Sequence, residues 1–180
     1  MKAMIFAAGL GTRLRPFTAN TPKALIRVEG MPLLEIIIRR LKFFGFNQLV
    51  INVHHFADQI EKFLSEKNNF GLEIYISDER DLLLDTGGGL KKAMPLFESG
   101  SFLVCNTDVI TNMDLAAFLD RHRRSGALAT LAVRDRKSSR YLLFDEKYRL
   151  CGWRNEKTAE ERLCRTGTRR YKYAFSGIQA

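Results

Sequence analysis

The feature that most constrains this chain is a regular alternation of apolar runs and amphipathic segments over its first 133 residues. The apolar runs have the length and continuous hydrophobicity of buried strands; they lie at 2–7, 48–53, 72–77, 101–106 and 128–133. The segments between them have helical spacing or helix-start signals; they lie at 32–45, 57–67, 88–97 and 112–126. Because helices that alternate with strands act as crossovers, the pattern predicts a parallel sheet with helices on both faces.

The pattern changes after Val133. The stretch "YLLFDEKYRLCGW" predicts two short strands around a polar turn, and "YKYAFSGI" predicts a further strand. We therefore expect one domain, 1–180, of α/β class: a three-layer, doubly wound, mostly parallel core over 1–133, and a small β-rich annex over 134–180. We expect the annex to cover the carboxyl edge of the sheet.

A glycine-rich loop, "AAGLGTRLRPFT", follows the first predicted strand. Leu14 stands where a dinucleotide fingerprint needs its third glycine, and no Walker motif is present. Free backbone N–H groups together with Arg13, Arg15 and Lys23 suit a polyphosphate. The loop is thus predicted to bind phosphate; the alternative is a plain glycine turn with solvated basic residues.

Acidic and glycine-rich residues follow two other predicted strands. Asp108 comes directly after "FLVCN", and a carboxylate facing a phosphate loop suits Mg²⁺; its alternative role is to cap the next helix. The segment "DTGGGL", 85–90, lets a flat base approach the backbone; its alternative is a flexible turn. Since ligands bind outside the carboxyl ends of such strands, the three loops are expected to converge.

Charge and cysteine usage narrow the classes of partner. Residues 1–120 carry 13 Lys and Arg against 14 Asp and Glu, whereas residues 121–180 carry 16 against 6. The basic part holds no recognisable nucleic-acid motif, so an anionic substrate or acidic partner is favoured over nucleic acid. Three cysteines without metal-like spacing predict a reducing, cytoplasmic location, and neither a signal peptide nor a membrane span is expected.

Five stretches in order, "AAGLGTRLRPFT", "TPKAL", "LLDTGGGL", "NTDV" and "FSGI", make the chain resemble the sugar-1-phosphate nucleotidylyltransferases. The resemblance is greatest to the N-acetylmuramate-1-phosphate uridylyltransferase and mannose-1-phosphate guanylyltransferase branches. It implies transfer of a nucleotidyl group from a nucleoside triphosphate to a sugar 1-phosphate, with release of pyrophosphate. UTP is the first choice of nucleotide and GTP the second, in nucleotide-sugar biosynthesis for the cell envelope.

The resemblance also implies roles for individual residues. The implied nucleotide-binding residues are Ala8, Gly9, Gly11, Thr12, Arg13, Asp85, Gly87 and Gly88. The implied catalytic residues are Arg13, Lys23 and Asp108, and Asp108 would also hold Mg²⁺. The implied sugar-phosphate residues are Glu156, Lys157, Ser176 and Gly177.

The chain departs from the family pattern at three places. Thr107 replaces a glycine before the metal aspartate, and Thr158 replaces the proline of Glu-Lys-Pro. A second metal-binding aspartate is expected beyond "FSGI", where this sequence has three residues after Gly177. These departures predict weak Mg²⁺ binding and little turnover, and they leave open a nucleotide-binding module without catalysis.

Overall fold

The computed structural model describes residues 1–98, 100–165 and 170–180. These residues divide into two units: Met1–Thr130 with Gln179–Ala180, and Leu131–Ile178. In the part of the chain that is described, no helix is long and apolar enough to cross a membrane.

Strands and helices alternate along the first unit, as the hydrophobic pattern predicts. Its strands are β1 (Lys2–Phe6), β2 (Arg27–Val28), β3 (Met31–Pro32), β4 (Gln48–Val53), β5 (Glu73–Asp78) and β6 (Leu103–Asn106). Its α-helices are α1 (Leu33–Phe43), α2 (Ala57–Glu66), α3 (Asp85–Ala93) and α4 (Leu115–Ser125). Short 3₁₀ turns lie at Thr12–Leu14, Lys23–Leu25, Asn68–Gly71 and Met94–Leu96.

Four of these strands form a parallel sheet in the order β6-β1-β4-β5. The register places Phe6 of β1 beside Asn52 of β4 and Asn106 of β6. Asn52 in turn lies beside Ser77 of β5. The carboxyl ends of all four strands are therefore level, and the loops that follow them share one edge of the sheet.

The ends of α4 show how local sequence sets the length of an element. The Asp114 carboxylate accepts a hydrogen bond from the amide nitrogen of Ala117 at 2.9 Å, which satisfies one of the free N–H groups of the first turn. Gly126, at φ +63°, ends the helix in the left-handed conformation that glycine adopts without a steric cost. Both ends lie within the segment 112–126 for which the sequence predicts a helix.

The second unit consists of strands, which are β7 (Leu131–Arg134), β8 (Arg140–Phe144), β9 (Leu150–Asn155), β10 (Glu160–Leu163) and β11 (Tyr171–Gln179). Antiparallel pairing joins β10 to β9, β9 to β8, and β8 to β11. The two strands predicted around a polar turn are β8 and β9. The run predicted at 128–133 does form a strand, but the strand begins at Leu131 and pairs with β11. Thr130 and Ala180 exchange two backbone hydrogen bonds, at 2.7 and 2.9 Å, as residues of antiparallel strands do, so the predicted parallel direction is wrong.

Candidate functional site

A cavity of about 670 Å³ opens in the first unit, where β1, β4, β5 and β6 end. Its lining includes many of the predicted nucleotide and metal residues, namely Ala8, Gly9, Gly11, Thr12, Arg13, Lys23, Asp85 and Asp108. Gly87 and Gly88 are not among its lining residues. The loops after β1, β5 and β6 thus converge as predicted.

The glycine-rich loop is held in a defined shape. Gly11 has φ +65°, and its carbonyl oxygen accepts hydrogen bonds from the Leu14 amide at 2.8 Å and the Thr18 hydroxyl at 2.9 Å. A Cβ at Gly11 would lie 2.8 Å from Cγ2 of Thr18, so a side chain cannot be accommodated there without a shift. A Cβ at Gly9, by contrast, would meet nothing within 4 Å. Gly11 therefore shapes the loop, while Gly9 leaves its backbone open to a ligand.

Lys23 and Asp108 form an ion pair at the cavity. The Nζ atom of Lys23 donates to Oδ2 of Asp108 at 2.5 Å, and the two side chains are 24% and 45% exposed. Each group is accessible, so the ammonium can bind a phosphate oxygen and the carboxylate can bind a cation. In the described residues no three His, Cys, Asp or Glu side chains cluster as a metal site. A cation at Asp108 would need further oxygen ligands from a substrate.

The segment predicted to bind the base begins α3. The helix starts at Asp85, three residues before the predicted position, and Asp85 has φ +55°. A Cβ at Gly87 would meet nothing within 4 Å, whereas one at Gly88 would lie 2.8 Å from Cβ of Leu84. Asp85 and Thr86 are the residues of this segment that line the cavity. Base binding by Gly87 and Gly88 stays a prediction.

Two further residues of the cavity were not found from the sequence. Asn52 is 2% exposed and Glu79 is fully buried. The Asn52 side chain accepts from the Ala7 amide at 2.7 Å and donates to Oε1 of Glu79 at 2.7 Å. A polar residue inside the apolar run "QLVINV" was the available signal, because a buried polar side chain needs partners.

The predicted sugar-phosphate residues all lie in the second unit. Glu156 accepts from Nζ of Lys172 at 2.6 Å, and this hydrogen bond holds the pKa of the Glu156 carboxyl below its ordinary value. The Ser176 hydroxyl donates to the carbonyl of Ala132 at 2.5 Å. Lys157 is exposed, and Gly177 has φ +78°. Binding of a sugar phosphate by these residues stays a prediction.

Comparison with known proteins identifies the family of this chain. Residues 2–144 match the nucleotidyl transferase family. An N-acetylmuramate alpha-1-phosphate uridylyltransferase of Neisseria meningitidis is 45% identical over 117 residues, which are 65% of this chain and 51% of that protein. A UTP–glucose-1-phosphate uridylyltransferase of Synechocystis is 36% identical over 145 residues, which are 74% of this chain and 37% of that protein.

A solved structure confirms the fold. HddC of Yersinia pseudotuberculosis, complexed with GMP-PN, superposes with a TM-score of 0.76 at 21% identity and covers 99% of this chain and 75% of its own. This likeness confirms the predicted α/β class with a mostly parallel sheet flanked by helices. The chain spans about a third to a half of the length of the curated relatives described above. The match over residues 2–144 and the shared fold place the chain in the nucleotidyl transferase family.

Proposed function

We propose that this protein transfers a nucleotidyl group from a nucleoside triphosphate to a sugar 1-phosphate and releases pyrophosphate. The observation that carries the proposal is the single cavity in which the glycine-rich loop, Arg13, Lys23 and Asp108 lie together. Cationic side chains and open backbone suit a triphosphate. The names of the related proteins supply the class of acceptor.

The chemistry needs positioning and charge rather than a general base. A sugar phosphate is largely ionised near neutral pH, because its second pKa is about 6. One of its oxygens attacks the α-phosphorus in line, a new P–O bond forms, and the bond to the departing pyrophosphate breaks. Lys23 and Arg13 reduce the repulsion between the two anions, as positively charged groups do in other phosphoryl transfers.

Asp108 is the residue proposed to hold Mg²⁺. Its carboxylate is a hard oxygen ligand, and its 45% exposure leaves room for a cation beside it. Mg²⁺ commonly takes one or two carboxylates together with substrate phosphates, so a site with one carboxylate at this cavity fits that ion. When bound, the ion would neutralise charge on the triphosphate oxygens.

UTP remains the first choice of nucleotide and GTP the second. Two uridylyltransferases named for N-acetylmuramate alpha-1-phosphate are 45% and 46% identical to this chain over 117 and 110 residues. A mannose-1-phosphate guanylyltransferase of Mycobacterium tuberculosis is 31% identical over 132 residues. The higher identity supports uracil, and the sugar is left to experiment.

Nucleotide binding without turnover is a second candidate. It is favoured by the ion pair with Lys23, because the carboxylate proposed to hold the metal is already engaged by an ammonium. With Asp108 as its one carboxylate ligand, the ion would depend on water and on triphosphate oxygens for its other ligands. This candidate predicts nucleotide binding without release of pyrophosphate.

Two assays separate these functions. Thermal shift with UTP, GTP, CTP and ATP plus Mg²⁺ measures nucleotide choice, and UTP should stabilise most. Pyrophosphate release is then measured with N-acetylmuramate, glucose and mannose 1-phosphates. Lys23→Met should abolish release, whereas Lys62→Met, which removes a surface lysine of α2, should not. Binding without release supports the second candidate, and the absence of both refutes the proposed function.

A further inference from the structure

Two buried polar side chains link the loops that form the cavity. Asn52 lies near the carboxyl end of β4, between β1 and β5. Glu79 follows β5, and its amide donates to the carbonyl of Val53 at 2.8 Å. Burying an amide and a carboxylate is costly unless each polar atom has a partner, so their contacts define what they stabilise.

The contacts form one directed chain of hydrogen bonds. The Ala7 amide can only donate, so the atom of Asn52 that faces it is Oδ1, and Nδ2 then faces Glu79. The second carboxylate oxygen of Glu79, Oε2, accepts from the Leu84 amide at 3.1 Å. This series of hydrogen bonds therefore links the start of the glycine-rich loop to the residue that precedes α3.

Helix α3 also packs closely against this pair. A Cβ at Gly89 would lie 2.6 Å from Oε1 of Glu79 and 3.0 Å from Nδ2 of Asn52, so only glycine allows this approach. The backbone of Glu79 is fixed as well, since Nδ1 of His54 donates to its carbonyl oxygen at 2.6 Å. The loops after β1 and β5 are thus held by the side chains of Asn52 and Glu79, and His54 ties the loop after β4 to the backbone of Glu79.

We propose that Asn52 and Glu79 form a positioning bridge that sets the glycine-rich loop in register with the start of α3. Its role in substrate binding rests on the proposed function, in which the first loop binds the triphosphate and the second binds the base. The bridge fixes the distance between these two subsites before the nucleotide arrives. Such preorganisation reduces the ordering that binding would otherwise require.

Both residues act through others rather than on the substrate. Glu79 is fully buried, and its two oxygens already accept from Asn52 and Leu84. Asn52 likewise uses its oxygen and its nitrogen within the protein. Although both line the cavity, their polar atoms are committed to the loops.

Because each hydrogen bond of this series has a fixed donor and acceptor, the bridge can be tested by exchanging the amide and the carboxylate between positions 52 and 79. Glu79→Gln places the new amide nitrogen, which is a donor, against another donor, either Nδ2 of Asn52 or the Leu84 N–H. Rotating the Asn52 amide by 180° would relieve the first of these clashes, but it would then place Nδ2 against the Ala7 N–H. Asn52→Asp places a second carboxylate against Glu79. The double variant Asn52→Asp with Glu79→Gln restores every donor–acceptor pair and keeps the single negative charge.

Amide hydrogen exchange tests the bridge in the absence of any ligand. Exchange at Ala7 and Leu84, relative to core amides of β4, should rise about tenfold or more in each single variant, because an unpaired buried group opens the loop. The double variant should return both amides toward the wild-type rate. Glu35→Gln is the matched control, since Glu35 is a buried carboxylate of α1 that pairs with Arg39 and Lys67.

Calorimetry measures the effect of the same variants on the affinity for UTP. Each single variant should lose about tenfold or more in affinity, and the double variant should recover it, whereas Glu35→Gln should lower stability without this loss. Unchanged exchange in both single variants, or a double variant no better than either, overturns the bridge. If neither single variant folds, folding of the double variant supports the bridge and its failure overturns it. If amide exchange rises in the single variants and returns in the double variant, but neither the wild type nor any variant binds UTP, the proposed function is refuted while the bridge stands.

Discussion

The ion pair between Lys23 and Asp108 leads to a prediction about metal-free binding. A triphosphate that binds Lys23 competes for the ammonium with the Asp108 carboxylate, whose Oδ2 lies 2.5 Å from Nζ. Asp108→Asn removes that competitor and also removes a negative charge that faces the incoming phosphates. The variant is therefore expected to bind UTP slightly more tightly than wild type in the absence of Mg²⁺.

The size of the gain follows from the exposure of the pair. The two side chains are 24% and 45% exposed, and ion pairs near a surface are worth about 0.2–1 kcal/mol. Freeing Lys23 should thus raise metal-free affinity by a factor of about 1.4 to 5. With Mg²⁺ present the order should reverse, because the variant lacks the carboxylate proposed to hold the ion.

Isothermal calorimetry with UTP, in EDTA and in Mg²⁺, measures both effects. Asp114→Asn is the matched control, because Asp114 caps α4, does not line the cavity, and asparagine is an equally good cap. Full Mg²⁺ enhancement in Asp108→Asn would show that the metal is held elsewhere. A loss of metal-free affinity beyond that of the control would refute the competition between Asp108 and phosphate for Lys23.

Three other predictions follow from the described contacts. Arg13→Ala should weaken UTP binding by about 10- to 100-fold in calorimetry, because charge-assisted hydrogen bonds are lost, whereas Arg15→Ala should have little effect since Arg15 does not line the cavity. Gly89→Ala should lower the free energy of unfolding in urea by about 1–3 kcal/mol through overpacking. Gly87→Ala, with open space at its Cβ, should be neutral or stabilising by up to about 1 kcal/mol, and equal effects would refute the close approach. Hydrogen bonds from the Arg149 backbone and side chain, and from the Lys147 backbone, hold the pKa of the Asp145 carboxyl below its ordinary value. The stability that these bonds give is present above the ordinary pKa of aspartate and should be lost as the pH falls through the lower pKa of the folded state. An acid titration followed by circular dichroism should show less of this loss in Asp145→Asn.

Patterns confined to one segment were predictable from the sequence. Asp114 and Gly126 mark the two ends of α4 through local hydrogen bonding and local backbone conformation, and both act within a few residues. The convergence of the loops was predictable for a similar reason, because the carboxyl ends of parallel strands always share an edge. Asp108 and Lys23 reach the same cavity by this rule of topology.

Features that depend on a distant partner were missed. The run at 128–133 is as apolar as the core strands, but β7 begins at Leu131 and its neighbour is β11. Glu79 looks like one charge among several in "SDERD", and only the fold places it against Asn52. Thr107, noted as a departure from glycine, is buried and donates its hydroxyl to the carbonyl of Phe6. A hydropathy pattern can mark a buried polar residue such as Asn52, but it does not identify the distant residue that pairs with it.

The central place of β1 in the parallel sheet has a consequence for synthesis on the ribosome. β1 precedes both of its neighbours: β4 begins at Gln48 and β6 ends at Asn106. At about 5–20 residues per second, the strand waits roughly 5–20 s for its second partner. During that time Ala3, Met4 and Ile5, which are fully buried in the finished sheet, remain open on one side. Nascent chains that stop before Leu103 should therefore be ligands for chaperones and prone to aggregate, and folding of the first unit should begin only after β6 has emerged.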